Sequence, residues 1–166
     1  MVDALTPLLA AATTSQQCHF GLWGGWGELH PQSHTPLYAV PSRQSPIAGM
    51  RSRREIRQLE RSRLRAEAPL YAFVESCAVL PWWGGRDMLL FDGPIDRVAS
   101  IGSPAPIERS LDRRGPQWWW PADRRWFVAT EIDCPWTYVA GTTALIDTIN
   151  ADATLEAVRV EHADSW

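Results

Sequence analysis

The sequence contains no lysine and only three cysteines. All sixteen basic residues are arginine, which a GC-rich coding sequence explains as well as a need for bidentate contacts. The cysteines Cys18, Cys77 and Cys134 are odd in number, widely spaced and without a paired motif. They indicate reduced, buried thiols in a cytoplasm and disfavour a disulfide framework.

Long hydrophobic runs are also missing. The apolar residues form short runs broken by proline, glycine or charge, and none approaches the roughly 18 residues that span a bilayer. The first segment contains LTPLLAAA, but Asp3 replaces a positive n-region and Pro7 interrupts the apolar core. We therefore expect a cytoplasmic protein with no membrane helix and no secretory signal.

Motifs for catalysis and cofactors are absent as well. The sequence has no G-x-S-x-G, no phosphate-binding glycine loop, no dinucleotide fingerprint and no HExxH. His30 and His34 have H-x3-H spacing near Cys18 and His19, but the prolines between and after the histidines disfavour a shared helix face. No catalytic residue, metal site or cofactor is predicted, and the balance is against an enzyme.

The composition that remains is that of one soluble globular domain. The chain has 166 residues, of which 45% are hydrophobic and 21% charged, enough to bury a substantial core. The net charge is −3, but the segment 51–65 holds seven arginines against Glu55 and Glu60. That segment carries +5, so the rest of the chain carries −8. The pattern predicts an acidic body with one arginine-rich surface helix, at about 50–68.

Element patterns predict a single α+β domain with a mainly antiparallel sheet over 1–166. We expect a helix at 3–17, capped by Asp3, a strand turning at Gly24 and Gly25, and a proline-rich loop at 30–48 with LYAV as a candidate short strand. Strands are predicted for LYAFVESCAVL (70–80), Met88 to Phe91, WFVATEID (126–133), WTYVAG (136–141) and LEAVRV (155–160). Short helices are predicted for IDRVASIG (95–102) and, capped by Thr142 or Thr143, TTALIDTIN (142–150).

Ten tryptophans are the most distinctive feature, and three of them are consecutive in QWWWPADRRW, residues 117–126. Because neighbouring residues on a strand point to opposite faces, Trp118 and Trp120 share one side and Trp119 takes the other. We expect Trp118 and Trp120 to close the core and Trp119 to face outward. In PADRR we expect Pro121 and Asp123 to make a turn whose carboxylate accepts backbone N–H bonds.

Alternation also predicts that Glu131 and Asp133 share one face of the strand 126–133, with Arg124 and Arg125 close by. Such a group suits acid–base chemistry, and it equally suits a solvent face with a surface ion pair. The candidate binding residues are therefore Trp119, Arg124, Arg125, Glu131 and Asp133.

The motifs FGLWGGWG, LLFDGPID, WWWPADRRWFVATEID, YVAG, ALID and LEA, in this order, resemble a group of small uncharacterised Trp-rich actinobacterial proteins. The resemblance covers about half of the chain and implies a bacterial, cytoplasmic protein, without a catalytic assignment. More distantly, the layout is similar to SUKH-type immunity proteins, α+β domains that bind and neutralise toxins. That similarity implies a protein partner.

Three hypotheses for function follow. The first is a non-catalytic protein-interaction domain, of toxin-immunity type, whose aromatic and acidic surface binds a partner protein. The second is a small-molecule-binding domain or enzyme with a tryptophan-lined pocket. The third and weakest is nonspecific nucleic-acid binding by the arginine-rich helix, which lacks interleaved aromatic residues.

Overall fold

A computed structural model describes residues 1–26, 29, 53–101 and 115–161. Contacts group the chain into two compact units, Met1–Trp23 with Met88–Trp166, and Gly24–Asp87. The described residues contain three α-helices and six strands, and every registered strand pair is antiparallel. The predicted α+β class with an antiparallel sheet is confirmed. The predicted loop at 30–48, with LYAV, lies outside the described residues.

Five strands form the sheet of the first unit. They are β1 (Gln17–Trp23), β3 (Met88–Pro94), β4 (Trp118–Pro121), β5 (Trp126–Thr130) and β6 (Thr137–Gly141). Their order is β3-β1-β4-β5-β6, so β1 lies between two strands that follow it much later in the sequence. Four of its seven residues are buried, which suits a strand in the middle of the sheet.

One face of this sheet, called the inner face, is covered by helices of the same unit. Two α-helices, α1 (Val2–Ala11) and α3 (Thr143–Ala151), and a 3-10 helix (Ile95–Ser100) contribute to a single buried cluster with the strands. From the strands this cluster takes Cys18, Phe20, Trp119, Trp126 and Val128. The opposite side, called the outer face, carries His19, Gly21, Trp118, Trp120, Phe127 and Tyr138.

The first helix is shorter than predicted, and Asp3 does not cap it. α1 ends at Ala11, the chain reaches β1 at Gln17, and Met1 occupies the N-cap without a side-chain hydrogen bond. Pro7 lies inside the helix, beyond the first turn. Leu5 and Leu9, one turn apart, are buried on the sheet side, so tertiary packing holds a helix that contains a proline.

The carboxy-terminal elements match the predictions best. Thr142 caps α3 by accepting the Leu145 N–H, and Leu145 and Ile149 are buried as expected. Two boundaries differ: β5 stops at Thr130, and the segment 155–160, predicted as a strand, forms no strand. Leu155 instead packs against the core cluster beyond α3.

The largest error concerns LYAFVESCAVL, in the second unit. A long helix, α2 (Arg53–Ser76), extends through Pro69 and takes in Leu70 to Ser76, leaving only β2 (Ala78–Leu80) as a strand. The half-buried positions of this stretch fall at helical spacing, at residues 63, 67, 71 and 74. The helix 50–68 is therefore confirmed in kind but is longer than predicted.

Two glycines form the turn that precedes β3. Gly84 and Gly85 have φ of 73° and 74° in the 3-10 helix Trp83–Gly85, which explains glycine at both positions. The strand predicted for Met88 to Phe91 continues to Pro94, and its last three residues pair with His19, Cys18 and Gln17. The segment expected as a short helix after Pro94 is the 3-10 helix that packs on the inner face.

Candidate functional site

The three consecutive tryptophans alternate between the two faces of the sheet as predicted, but each lies on the face opposite to the one expected. Trp119 pairs with Phe20 and Val128 and is only 2% exposed, whereas Trp118 and Trp120 lie half-buried on the outer face. The prediction that Trp119 faces outward is wrong. Pairing with β1, whose Phe20 enters the core, sets the phase of β4. Trp119 therefore contributes to the fold and cannot contact a partner directly.

The outer face carries a row of stacked rings across three adjacent strands. The Trp120 indole stacks on Phe127, with ring centroids 5.4 Å apart and an angle of 24° between the planes. On the other side of Trp120, the His19 ring lies 5.4 Å away, tilted by 33°. We call His19, Trp120 and Phe127 the aromatic row. Sequence reasoning missed it because the three residues meet only through the β1–β4–β5 pairing.

The next rung of the outer face holds Gly21, Trp118, Ala129 and Tyr138 in register. A Cβ placed on Gly21 would lie 3.3 Å from both Cβ and Cε3 of Trp118. The indole therefore crosses the strand where no side chain stands, which is why glycine suits this position. Tyr138, beside the small Ala129, is 41% exposed.

His19 ends the aromatic row in an ion-pair geometry. Its Nδ1 lies 2.5 Å from Oδ1 of Asp92, its register partner on β3. The contact orients the imidazole against Trp120. Because adjacent Cys18 points to the inner face, Cys18 and His19 cannot bind one metal ion together, and the residues described contain no group of ligands for a metal.

Burial makes Cys18 a poor nucleophile. Desolvation, with a smaller contribution from the charge of Asp123, raises the pKa of the Cys18 thiol to about 11. Burial also raises the pKa of Cys77. Both thiols are protonated near neutral pH. Cys18 is buried as predicted, whereas Cys77 and Cys134 are only half-buried.

The candidate residues Glu131 and Asp133 do not lie on a strand face. They belong to the loop that joins β5 to β6, where the Cys134 N–H donates to the Glu131 carbonyl and the Ile132 N–H donates to the Glu131 carboxylate. Both residues are exposed. Arg124 and Arg125 lie in the β4–β5 turn, at the other end of β5, so the structure does not bring the four charges together.

Asp123, in the same turn, is the centre of a hydrogen-bond network. Its carboxylate accepts from the Thr13 hydroxyl and from the Thr14 N–H and hydroxyl, each at 2.8 Å, and from the Arg125 N–H at 3.3 Å. The network ties the α1–β1 connection to the β4–β5 turn. It confirms the predicted role of the carboxylate and holds Arg124 at φ 56°.

We expect the Asp123 carboxyl to titrate near pH 2. Partial desolvation raises its pKa, but the bonds from Thr14, Thr13 and Arg125 outweigh it and lower the pKa to about 2 from 3.8. The stability that this carboxylate contributes is therefore present above pH 4 and is lost as the pH falls through 2. Carbon-13 NMR of the labelled carboxyl measures the midpoint directly.

Thr13→Val removes one hydroxyl donor and is the matched variant for this titration. It should move the Asp123 midpoint upward, partway toward 3.8. A wild-type midpoint already near 3.8 would contradict the assigned network.

The first unit contains a groove that can be compared with the tryptophan-lined pocket of the second hypothesis. It has a volume of about 350 Å³ and lies between α1 and the 3-10 helix, lined by Asp3, Thr6, Pro7, Ala10, Ile95 and Asp96 among others. No tryptophan lines it. The groove therefore does not supply the indole-walled pocket that the second hypothesis requires.

The arginine-rich face of α2 is solvent-exposed, as predicted. Arg57, Arg61 and Arg65 follow at four-residue spacing and are all exposed, while Arg63 contacts Glu67 at 3.3 Å. Spacing of this kind lines the arginines along one side of the helix. It keeps nucleic-acid binding as the third hypothesis, to be tested by gel shift at low salt.

Within the described residues, no helix is both long enough and apolar enough to cross a membrane. Comparison of the chain with protein-family models, curated proteins and solved structures finds no match to any of the three.

Proposed function

We propose that the chain is a non-catalytic protein-interaction domain that binds a partner protein through the outer face of its sheet. The observation that carries the proposal is the aromatic row of His19, Trp120 and Phe127, with Tyr138 one rung away. Phe127 and Tyr138 are 38% and 41% exposed. Large aromatic side chains at a surface are typical of the residues that dominate binding energy in protein interfaces.

Ring orientation favours a protein over a sugar or a nucleobase. A planar ligand binds an aromatic platform by lying on an exposed ring face. Here the Trp120 ring already has Phe127 stacked on one side and the tilted His19 ring on the other. These neighbours compete with a planar ligand for the faces of Trp120, whereas the exposed ring of Phe127 can pack against apolar side chains of a protein.

The charges of the outer face also disfavour a phosphate-bearing ligand. Among its described strand positions, the only ionisable side chains are Asp92, His19 that contacts it, and Tyr138. Binding to nucleic acid depends on arginine or lysine near the phosphates. A partner with an apolar patch fits the face better, with Trp120 and Phe127 as its central contacts.

The proposal is tested with the full chain immobilised in a native lysate of its source organism. Phe127→Asp places a charge on the aromatic row, and Val158→Asp places the same charge on a 76% exposed valine outside the sheet. A protein partner should be retained by the wild type and by Val158→Asp. After purification, it should bind Phe127→Asp at least tenfold more weakly, which is about 1.4 kcal/mol.

Equal binding to the two variants would overturn the proposal, and so would retention of an oligosaccharide or a nucleic acid instead of a protein. Circular dichroism of Phe127→Asp separates loss of binding from loss of folding. A toxin-immunity role is the finer form of the proposal and rests on the resemblance to immunity proteins. In that form, co-expression of the wild type, but not of Phe127→Asp, protects cells from the purified partner's toxicity.

A further inference from the structure

Strand β6 lies at one edge of the first unit's sheet, and its sequence lacks the features that usually prevent an edge strand from pairing with another strand. Among the residues that the structure describes, β5 is its registered partner, on one side. Sheet edges in proteins are usually protected by charge, proline or a bulge. The strand TYVAG has no charged residue and no proline, and its register with β5 runs without interruption from Thr137 to Gly141.

The same strand is complementary to a second copy of itself. When two β6 strands pair antiparallel over their full length, Val139 meets Val139, Tyr138 meets Ala140 and Thr137 meets Gly141. Around the central valine pair, a larger residue lies opposite a smaller one at each position, and each pair shares a face of the sheet. On the outer face, the Tyr138 ring of one copy would cover Ala140 of the other and reach Phe127, the β5 neighbour of Ala140.

The charges at the two ends of β6 complement each other in the same arrangement. The acidic loop with Glu131 and Asp133 leads to Thr137. Arg124 and Arg125 lie at the other end, where the Arg125 carbonyl is 3.6 Å from a Cβ placed on Gly141. Antiparallel pairing brings the Gly141 end of one copy to the Thr137 end of the other, so opposite charges meet twice, once on each side of the two-fold axis.

We propose that two copies of this chain associate through β6 to form one continuous antiparallel sheet across a two-fold axis. In this arrangement Arg124 and Arg125 of one copy lie near the loop of the other copy that holds Glu131 and Asp133. The inference goes beyond the proposed partner binding. It uses the edge of the sheet, and it meets the aromatic row assigned to the partner only at Phe127, which Tyr138 of the other copy would reach.

Sedimentation velocity of the full chain over a concentration series tests the dimer. The wild type should shift from monomer to dimer as concentration rises. Ala140→Lys places a charge on the edge strand and occupies the space where Tyr138 of the other copy would lie. It should therefore weaken dimerisation at least tenfold. Ala11→Lys adds the same charge at an exposed position on α1 and should dimerise like the wild type. A wild type that stays monomeric, or a dimer unaffected by Ala140→Lys, overturns the proposal.

A charge exchange tests the arrangement independently of the apolar contacts. Arg125→Glu should weaken the dimer, since two acidic groups then face each other at each end. Adding Glu131→Arg in the same chain should restore it. Failure of the double variant to recover, with both variants folded by circular dichroism, overturns the antiparallel register.

Discussion

Replacing Trp119 with alanine should lower the free energy of unfolding by about 3–5 kcal/mol, the usual cost of deleting a buried tryptophan. The indole is 2% exposed and packs edge-to-face against Trp126 with ring centroids 5.2 Å apart. Trp126 in turn donates its Nε1–H to the Leu9 carbonyl at 2.9 Å. Truncation leaves a cavity beside this bond, where α1 meets the sheet. Urea unfolding followed by far-UV circular dichroism measures the loss.

Trp120→Ala is the matched control, one residue along on the other face. It removes the stack with Phe127 and should cost about 0.5–1.5 kcal/mol for the aromatic pair, beyond a modest loss of buried area. Comparing the Trp119→Ala and Trp120→Ala variants also separates stability from binding, because only Trp120→Ala should impair partner binding in a folded protein. Equal stability losses in the two variants would contradict the assignment of their faces.

Gly141→Ala should destabilise the protein by about 1–3 kcal/mol, the usual cost of forcing an extra methyl group against packed side chains. A Cβ on Gly141 would lie 2.8 Å from Cδ2 of Leu145 and 3.4 Å from Cβ of Trp126. Leu145 is itself buried against the sheet and has little room to withdraw. Thermal and urea unfolding of the variant measure the effect.

Gly93→Ala is the control for the Gly141 substitution. Both glycines lie in strands, but a Cβ on Gly93 meets Cε2 of Phe20 at an ordinary 3.5 Å. Alanine there should be close to neutral, or stabilising by about 0.4–1 kcal/mol through the unfolded chain. If both variants lose stability equally, the loss comes from removing glycine and not from the close approach to Leu145.

Local patterns in the sequence predicted the elements that local chemistry specifies. Thr142 caps α3 through its own side chain, and Trp126 and Val128 alternate with Phe127 within a single strand. Both signals lie within a few residues of the element they define. They therefore needed no knowledge of the rest of the fold.

LYAFVES shows where local patterns fail. An apolar run with aromatic and β-branched residues suits a buried strand and also suits a helix, and Pro69 favoured a boundary before it. The run instead continues a helix already formed upstream, where each added residue needs no new nucleation. The spacing of Glu67, Tyr71 and Val74 was the signal for a helix.

The candidate site was predictable in composition but not in geometry. Alternation correctly divided the three tryptophans between two faces, but only pairing with Phe20, about 100 residues earlier, decides which face is buried. Likewise, Glu131 and Asp133 could be assigned to one strand face only if β5 continued past Thr130. Strand pairing between distant segments fixes both outcomes, and a single sequence does not display it.

The position of β1 between β3 and β4 has a consequence for synthesis on the ribosome. The strand is complete at Trp23, but its partner β4 is complete only at Pro121. At roughly 5–20 residues per second, the intervening chain takes on the order of 5 to 20 s to emerge. During that time Phe20 lacks Trp119, its register partner on β4. High contact order of this kind makes folding slow, and it makes the nascent amino-terminal segment a natural client for a chaperone.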